Sequence, residues 1–458
     1  EAPLVNTTSG TLGGLVDEQK VAELPLNGRN YVDLTLLQTG ISQHVNRSPT
    51  TTLLVGMLFS SNGATLRSNN FLLDGAIMQG YTGVAAASTS GSTLGIEGIR
   101  EYKLLTGAFS AEYGITMGSQ MLIVSKSGTN AWHGSAFEYF RNSALDARNF
   151  FDRKTNLELA TGTGRRLPAF VRNNFGGSFG GPIRKDKTFF YAVNENFRER
   201  VGRTNITNTV PAGCRGDANS VVTNANCAAL GNTASLTIDP VVRPLLALYP
   251  NPNLPNNQFT FPYSQPSMDY YGQVRGDHTV SASNTLFGRY TVDDGLLDLP
   301  TAYPGYLDHR ISRSQFATIS DNHVFSPTLL NTLRASYSRT RNLGLDLSTV
   351  IGPQYSLVPG EYLGQIQITG VSNIGGGGPS DAKQNIYTLS DDVAWSRGAH
   401  NFKFGTLLNY IEQYKSSSSQ LRGQVRFAGV SQFLTGIARD WARIEPGSRL
   451  DRAYDTNT

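Results

Sequence analysis

The chain has 458 residues, too many for one ordinary globular domain, so two regions or one large β architecture are expected. Charged residues make up only 16% while Gly (48), Phe (22) and Tyr (20) are abundant, a mix suited to long strands joined by tight turns. The net charge of +4 comes without runs of like charge, 30 of the 39 cations being Arg, which argues against a nucleic-acid partner. No window approaches the ~18 consecutive apolar residues of a membrane helix, although a membrane strand needs apolar residues only at alternate positions.

In chain order, residues 1–130 read as a mixed α/β unit. A turn over Pro25 to Asn30 leads into a helical segment whose Tyr31, Leu34 and Leu37 make one apolar face. Short strands are predicted around Phe71 to Leu73, Ile99 to Leu105 and Gln120 to Ser125, separated by loops rich in Gly, Ser and Asn. The chain begins at Glu1 without a charged and apolar leader, so any export signal has been removed or lies upstream, and it ends in mid-pattern at RLDRAYDTNT, so it reads as a fragment of something longer.

From Ala131 onward the hydrophobic period is two. Leu286, Gly288, Tyr290 and Val292 oppose Thr285, Phe287, Arg289 and Thr291; Leu333, Ala335 and Tyr337 oppose Thr332, Arg334, Ser336 and Ser338; Phe402, Phe404, Leu408 and Tyr410 oppose Asn401, Lys403, Gly405 and Asn409. One face is apolar and aromatic and the other carries the charge. Tyr387 to Trp395 breaks the rule by placing Asp391 among Tyr387, Leu389, Val393 and Trp395, either at a membrane boundary or through a slip of register. Tight turns at Ile183 to Asp186, Ser281 to Asn284, Phe325 to Thr328 and Ser396 to Ala399 alternate with long polar loops over 142–171, 200–267, 294–311 and 341–383. A soluble β-sandwich has no reason to put every long loop at one end. An outer-membrane barrel does, and it needs strands of ~10 residues or more. About ten strands, or eleven, are expected, and their backbone groups are fully paired in hydrocarbon only if the sheet closes.

Residues that could carry chemistry have plainer readings. Gly176-Gly177-Ser178-Phe179-Gly180 fits the G-x-S-x-G pattern, but a strand follows where a hydrolase needs a helix. Gly375 to Gly378 precedes no Gly-Lys-Ser/Thr and reads as a flexible outer loop. His44, His133, His278, His309, His323 and His400 are scattered, and Asp293-Asp294 and Asp391-Asp392 read as solvated strand ends, so no catalytic residue, metal site or cofactor is expected. The spacing of Cys214 and Cys227 permits one loop-stapling disulfide in an oxidising compartment, unrelated thiols being the alternative.

Residues 96–128, IEGIREYKLL through AFSAEYG to SQMLIVSKSG, resemble the end of the plug domain of TonB-dependent outer-membrane transporters. Leu24-Pro25-Leu26-Asn27-Gly28-Arg29-Asn30 and Asn69-Asn70-Phe71-Leu72-Leu73-Asp74-Gly75 are similar to further plug landmarks. Trp132-His133-Gly134 to Phe140-Arg141-Asn142 and Leu145 to Phe151 resemble the barrel entry of the branch with an N-terminal carboxypeptidase-regulatory-like domain, the adhesion-type and SusC-like transporters.

The resemblance implies an α+β plug over residues 1–130 and, over 131–458, about half of an antiparallel transmembrane β-barrel of 22 strands. It implies active import of an oligosaccharide, peptide or metal chelate across the bacterial outer membrane, driven by the TonB-ExbB-ExbD complex, in contact with outer-membrane lipid and with a surface lipoprotein as a further candidate partner. The alternative is a structural or adhesive barrel that transports nothing. Cargo is expected at plug loop tips carrying Phe59, Ser60, Asn62, Gln79 and Tyr81, ordinary loop packing being the alternative, while Arg289, Arg334 and Lys403 are expected either to face the plug across the lumen or only to solvate a water-filled interior. No convincing TonB box precedes Leu24, a departure from the resemblance that leaves the location of the box open, upstream sequence being one place for it.

Overall fold

A computed structural model resolves the chain into a small mixed sheet held against a large antiparallel one. It describes residues 12–23, 26, 29–44, 58–84, 86–91, 93, 95–114, 116–146, 169–350, 352–417, 420–444, 448 and 451–457. In the first landmark, Leu24, Pro25, Asn27 and Gly28 lie outside these, as do 147–151 of the barrel-entry stretch.

Strands β1 (Leu12–Val16), β2 (Asn70–Leu73), β3 (Ala76–Ile77), β4 (Ile99–Gly107) and β5 (Gln120–Ser125) form the small sheet in the order β1-β4-β5-β2-β3. Its core gathers Phe59, Phe71, Tyr102, Leu104, Met121 and Ile123, the apolar positions of short alternating strands. Helix α1 (Glu18–Glu23) precedes a 3-10 helix over Tyr31–Leu37. That helix buries Tyr31, Val32, Leu34 and Thr35, but Leu37, expected on the same face, is 72% exposed where the last turn runs out.

The large sheet contains β6 (His133–Asn142), β7 (Phe170–Arg184), β8 (Thr188–Asn208), β9 (Gln258–Ser281), β10 (Asn284–Pro300), β11 (Tyr306–Ser326), β12 (Leu329–Ser348), β13 (Ser380–Arg397), β14 (His400–Ser417) and β15 (Asp451–Asn457). These ten strands pair in chain order, each antiparallel to the next, and the sheet is open between β6 and β15. Strands β7 to β14 are 15 to 24 residues long, enough to cross hydrocarbon at a barrel tilt and project beyond it. The pleat sorts side chains as expected: Arg289 is 3% exposed on the face toward the small sheet, while its neighbour Tyr290 is 41% exposed on the other. Asp391 does lie on the outward face, its register intact, and accepts a hydrogen bond from Asn331 Nδ2 at 2.5 Å.

Two expectations about the loops need correction. Pairing runs on to Pro300↔Leu307, so the loop expected over 294–311 shrinks to 301–305, and the loops expected over 200–267 and 341–383 shrink to 209–257 and 349–379. Cross-strand partners such as Asp294 with Arg313 (3.4 Å) and Asp298 with His309 (2.5 Å) let a polar sequence continue the ladder beyond the apolar zone. Moreover, the outer connections are not merely solvated loops. Tyr249, Tyr303, Ile366, Phe427, Phe433 and Leu434, drawn from four of them, share one buried apolar core, with Tyr249 ring contacts of 5.6 Å to Tyr303 and 5.9 Å to Phe433. Cys214 and Cys227 are joined by a disulfide within this cap, their Cα atoms 4.7 Å apart. Even Gly375, expected in a flexible loop, is packed so closely that a Cβ would stand 2.0 Å from Gly364 O.

Candidate functional site at the plug wall

The small sheet meets the inner face of the large one mainly through polar groups, Phe316 of β11 adding an apolar contact to its core, and the first polar contact is built on a turn. Asp74 and Gly75 join β2 to β3 with consecutive left-handed φ values of +48° and +86°, as a type I′ hairpin turn requires. Gly75 also brings the turn close to the wall, Arg334 Cδ standing 2.5 Å from where a Cβ would lie. The turn aims the Asp74 carboxylate at the wall: Arg289 Nε approaches it to 2.7 Å and Arg275 Nη1 to 3.8 Å, while Ser125 N and Oγ donate to it at 3.0 and 2.7 Å. Arg289 also donates to Leu73 O at 3.0 Å and Thr318 Oγ1 at 2.8 Å, and Arg275 to Ser125 O at 3.1 Å. Each buried charge therefore has an opposite charge and further hydrogen-bond partners, the condition under which such a pair survives desolvation.

A second contact centres on Arg29. Its guanidinium bridges Glu97 of the small sheet's unit (2.8 Å) and Glu195 of β8 (3.3 Å), and it lies 4.0 Å over the Phe137 ring of β6. Glu195 also accepts Gly95 N at 3.0 Å, and Ser135 Oγ donates to Glu97 at 2.8 Å. Burial alone would raise the Glu97 carboxyl, but hydrogen bonds from Arg29 and Ser135 and the charges of Arg29 and Lys126 outweigh it and hold the group below its ordinary range. A third, more open contact joins Glu112 to Lys403 of β14. There too burial acts upward, and bonds from Lys403 and Ser110 overcome it to keep Glu112 low.

Further from the short turns the contacts become neutral or singly charged. Thr89 N donates to Ser312 Oγ at 2.9 Å, Ser90 Oγ to Asp269 at 2.8 Å and Gln384 Nε2 to Gln79 O at 3.1 Å, while Lys415 Nζ stands 5.7 Å over the Tyr81 ring. Contacts thus reach β6 and β8 to β14, so the large sheet curves around the small one. Between them, on the side of β12 to β14, lies a cavity of about 940 Å³ lined by Asp74, Glu112, Tyr113, Arg334, Asp392 and Lys403 among others.

Arg289, Arg334 and Lys403 thus all reach the small sheet's unit. Of the residues expected at cargo-facing tips, Gln79 and Tyr81 sit against β13 and β14. Phe59 does not face the lumen: it is 1% exposed and packs edge-on against Phe71 in the core, because it pairs in a short strand with Gln43. Ser60 Oγ donates to Ala64 O and Asn62 Nδ2 to Thr106 O, both at 2.7 Å, so this stretch is tied down within its own unit. Sequence reasoning missed Arg29, Asp74, Glu97, Glu195 and Arg275. Arg275 was findable from alternation on β9, and Asp74 from the Asp-Gly turn signal inside a stretch already singled out.

Residues 124–456 match the family described as Outer membrane beta barrel domain. The chain belongs to that family. This outer-membrane barrel chain, which that family places in the bacterial outer membrane, also resembles the TonB-dependent transporter Oar of Myxococcus xanthus, with 32% identity over 133 residues, 29% of this chain and 12% of that protein. Its fold is that of the outer membrane transporter YddB from Escherichia coli (TM-score 0.60, 13% identity, 97% of this chain and 53% of that one). It is also that of the siderophore receptor PirA from Acinetobacter baumannii (TM-score 0.51, 12% identity, 89% and 49%). The barrel chain spans about half the length of these solved structures.

Proposed function

We propose that the chain is the plug and leading half of a barrel that imports a bulky nutrient by TonB-dependent transport, with residues 1–130 as the plug. One observation carries this: although Phe316 of β11 joins the unit's apolar core, the unit inside the curved sheet is anchored mainly by ion pairs and hydrogen bonds, centred on Asp74 with Arg289 and on Arg29 with Glu195. Polar contacts can be exchanged for water when a plug is pulled, whereas an apolar seam has no aqueous substitute. Oar's printed name and the transporter and receptor titles of the solved neighbours support the same reading. The reading takes TonB-ExbB-ExbD as energy source, a surface lipoprotein as lid and an upstream carboxypeptidase-regulatory-like domain as in SusC-like relatives. It takes an oligosaccharide, peptide or metal chelate as cargo at Gln79 and Tyr81, with no chemistry done on it.

The test is accumulation of labelled oligosaccharides, peptides and iron chelates by cells producing the full-length protein, with and without a protonophore. Uptake of one class that collapses with the proton gradient is expected; uptake indifferent to the gradient would end the proposal. The adhesive alternative draws support from the folded, disulfide-linked cap, a rigid outer surface of the kind that binds partners. It predicts surface binding with no gradient-dependent accumulation.

A further inference from the structure

The cavity between the small sheet and β12 to β14 is bordered by charges that do not all cancel. Asp74 is held by Arg289 at 2.7 Å, Arg275 by Asp277 at 2.7 Å, and Glu112 by Lys403. Arg334 of β12 and Asp392 of β13 are different. Among the described residues neither side chain has a hydrogen bond or an ion pair, and Arg334 Nε is buried without a partner.

Register shows how the two charges stay apart. Arg334 lies opposite Ser390, and Asp392 opposite Thr332, so the two are diagonal neighbours on the inner face, about 7–8 Å apart along the ladder. A long guanidinium could cross that gap, but Arg334 lies against the Asp74-Gly75 turn instead, its Nη1 and Nε 2.6 and 2.9 Å from where a Gly75 Cβ would stand. Lys403 also feels the Asp392 charge, yet it is taken up by Glu112. Below the two charges the cavity has an apolar floor. Strands β2 and β5 bury Phe71, Leu73, Met121 and Ile123 on their core side and turn Leu72 and Leu122, paired in register, toward the cavity. Leu407, opposite Ser390 on the inner face of β14 and 44% exposed, lines it from the wall.

We infer that this cavity binds a short peptide with free termini, its carboxylate on Arg334, its ammonium on Asp392 and an apolar side chain on Leu72 and Leu122. A guanidinium takes a carboxylate bidentately, and a carboxylate accepts hydrogen bonds from an ammonium. An anion alone leaves Asp392 without compensation, and a neutral sugar leaves both charges so, whereas a zwitterion with an apolar body satisfies all three parts of the site. The volume of about 940 Å³ accommodates a few residues. Arg334 and Asp392 lie nearer the short turns than Gln384, which bonds Gln79, so the site is a second stop on the inner side of the plug. The inference narrows the cargo of the import reading and rests on that reading only for the peptide's being carried onward.

The experiment is calorimetric titration of the detergent-solubilised full-length protein with leucyl-leucine, its N-acetyl form and its C-terminal amide. Wild type should bind the free dipeptide about tenfold or more tighter than either blocked form. R334Q should weaken the free dipeptide by a similar factor and bind acid and amide alike, while D392N should bind free and acetylated amines alike. Unchanged heat-modifiable gel mobility would show that both variants fold. Equal binding of free and blocked forms by wild type would overturn the inference without recourse to any variant. Displacement of the dipeptide by an equal concentration of citrate or maltotriose would assign the cavity to an anion or a sugar and overturn it too. Gradient-driven uptake of another cargo without dipeptide binding would end this inference and leave the import reading standing. Dipeptide binding in a protein whose uptake ignores the gradient would support the site and end the import reading.

Discussion

The plug wall and the outer cap are joined by the same strands and are held by different balances of charge and apolar packing. At the wall, buried charges meet in small clusters, Asp74 with Arg289 and Arg275 and Glu195 with Arg29, beside an apolar contact from Phe316. In the cap, residues from four connections interlock through rings and aliphatic side chains, and a disulfide closes one of the loops. Apolar packing gains from area and tolerates no water. Paired charges gain little net free energy but punish any missing partner. The cap is therefore built to stay folded as a unit, and the wall is built to be specific yet separable.

The comparison can be broken from either side. Phe433→Ala, at a fully buried position between Tyr249 and Phe427, should cost ~3–5 kcal/mol and loosen the cap alone. Hydrogen exchange should rise across the described parts of 209–257 and 420–444 and stay unchanged at β4 and β5. Arg289→Met should cost a comparable ~3–5 kcal/mol at the wall, because Asp74 is left buried with a weaker partner. Protease access to residues around Asp74 should then rise while cap protection holds, and adding Asp74→Asn should recover part of the loss. Parallel loss of protection in both regions for either variant would mean that the two are one cooperative unit.

The disulfide sharpens the contrast. Replacing both cysteines with serine should cost ~3 kcal/mol, the loop-closure value for a separation of 13 residues, and lower the melting temperature of the cap without moving the wall. The wall has its own lever in pH. Glu97 and Glu112 titrate below their ordinary value of 4.5 in the folded protein, so their stabilisation is complete above that value and disappears as pH falls below it. Exchange at β4 should therefore accelerate on acidification from pH 6 toward about pH 3, while the cap core around Phe433 should follow only if the whole chain unfolds.

What was legible in the sequence was whatever a local rule dictates. The pleat fixes alternation, so Arg289, Arg334 and Lys403 were assigned to the inner face from neighbouring residues alone, and β5 was legible as Gln120 to Ser125 because its pattern and flanking glycines agree. The partner of Arg289 was not legible. Asp74 is brought to it by two sheets closing on each other across more than 200 residues of chain, and no periodicity carries that distance. The cap was missed for a related reason: Tyr249, Tyr303, Ile366 and Phe433 each look like an isolated apolar residue in a polar loop until four loops converge. Asp, Gly and Pro between 294 and 311 suggested a loop because propensity ignores a ladder that already exists on the adjacent strand. Phe59 was misplaced through an analogy about loop tips, although an aromatic beside two serines in a short strand is an ordinary core residue.

The smallest expected effect is the most discriminating, because it separates burial from charge. Lys403 pairs with Glu112 across the same wall as Arg289 with Asp74, yet the Lys403 side chain is 54% exposed and that of Arg289 is 0% exposed. If opposite charge alone held the plug, Lys403→Ala and Arg289→Met would cost similar amounts. If desolvation sets the magnitude, Lys403→Ala should cost under ~1 kcal/mol and fade further in high salt, because water and ions already screen the pair, while the Arg289 effect should be nearly independent of salt. Hydrogen exchange around residues 110–114 and around Asp74, measured at low salt and at about 1 M, where the screening length falls to about 3 Å, decides between the two. Equal salt dependence at both positions would show that water reaches Arg289 as freely as Lys403, and the wall would then have to be understood as a solvated seam.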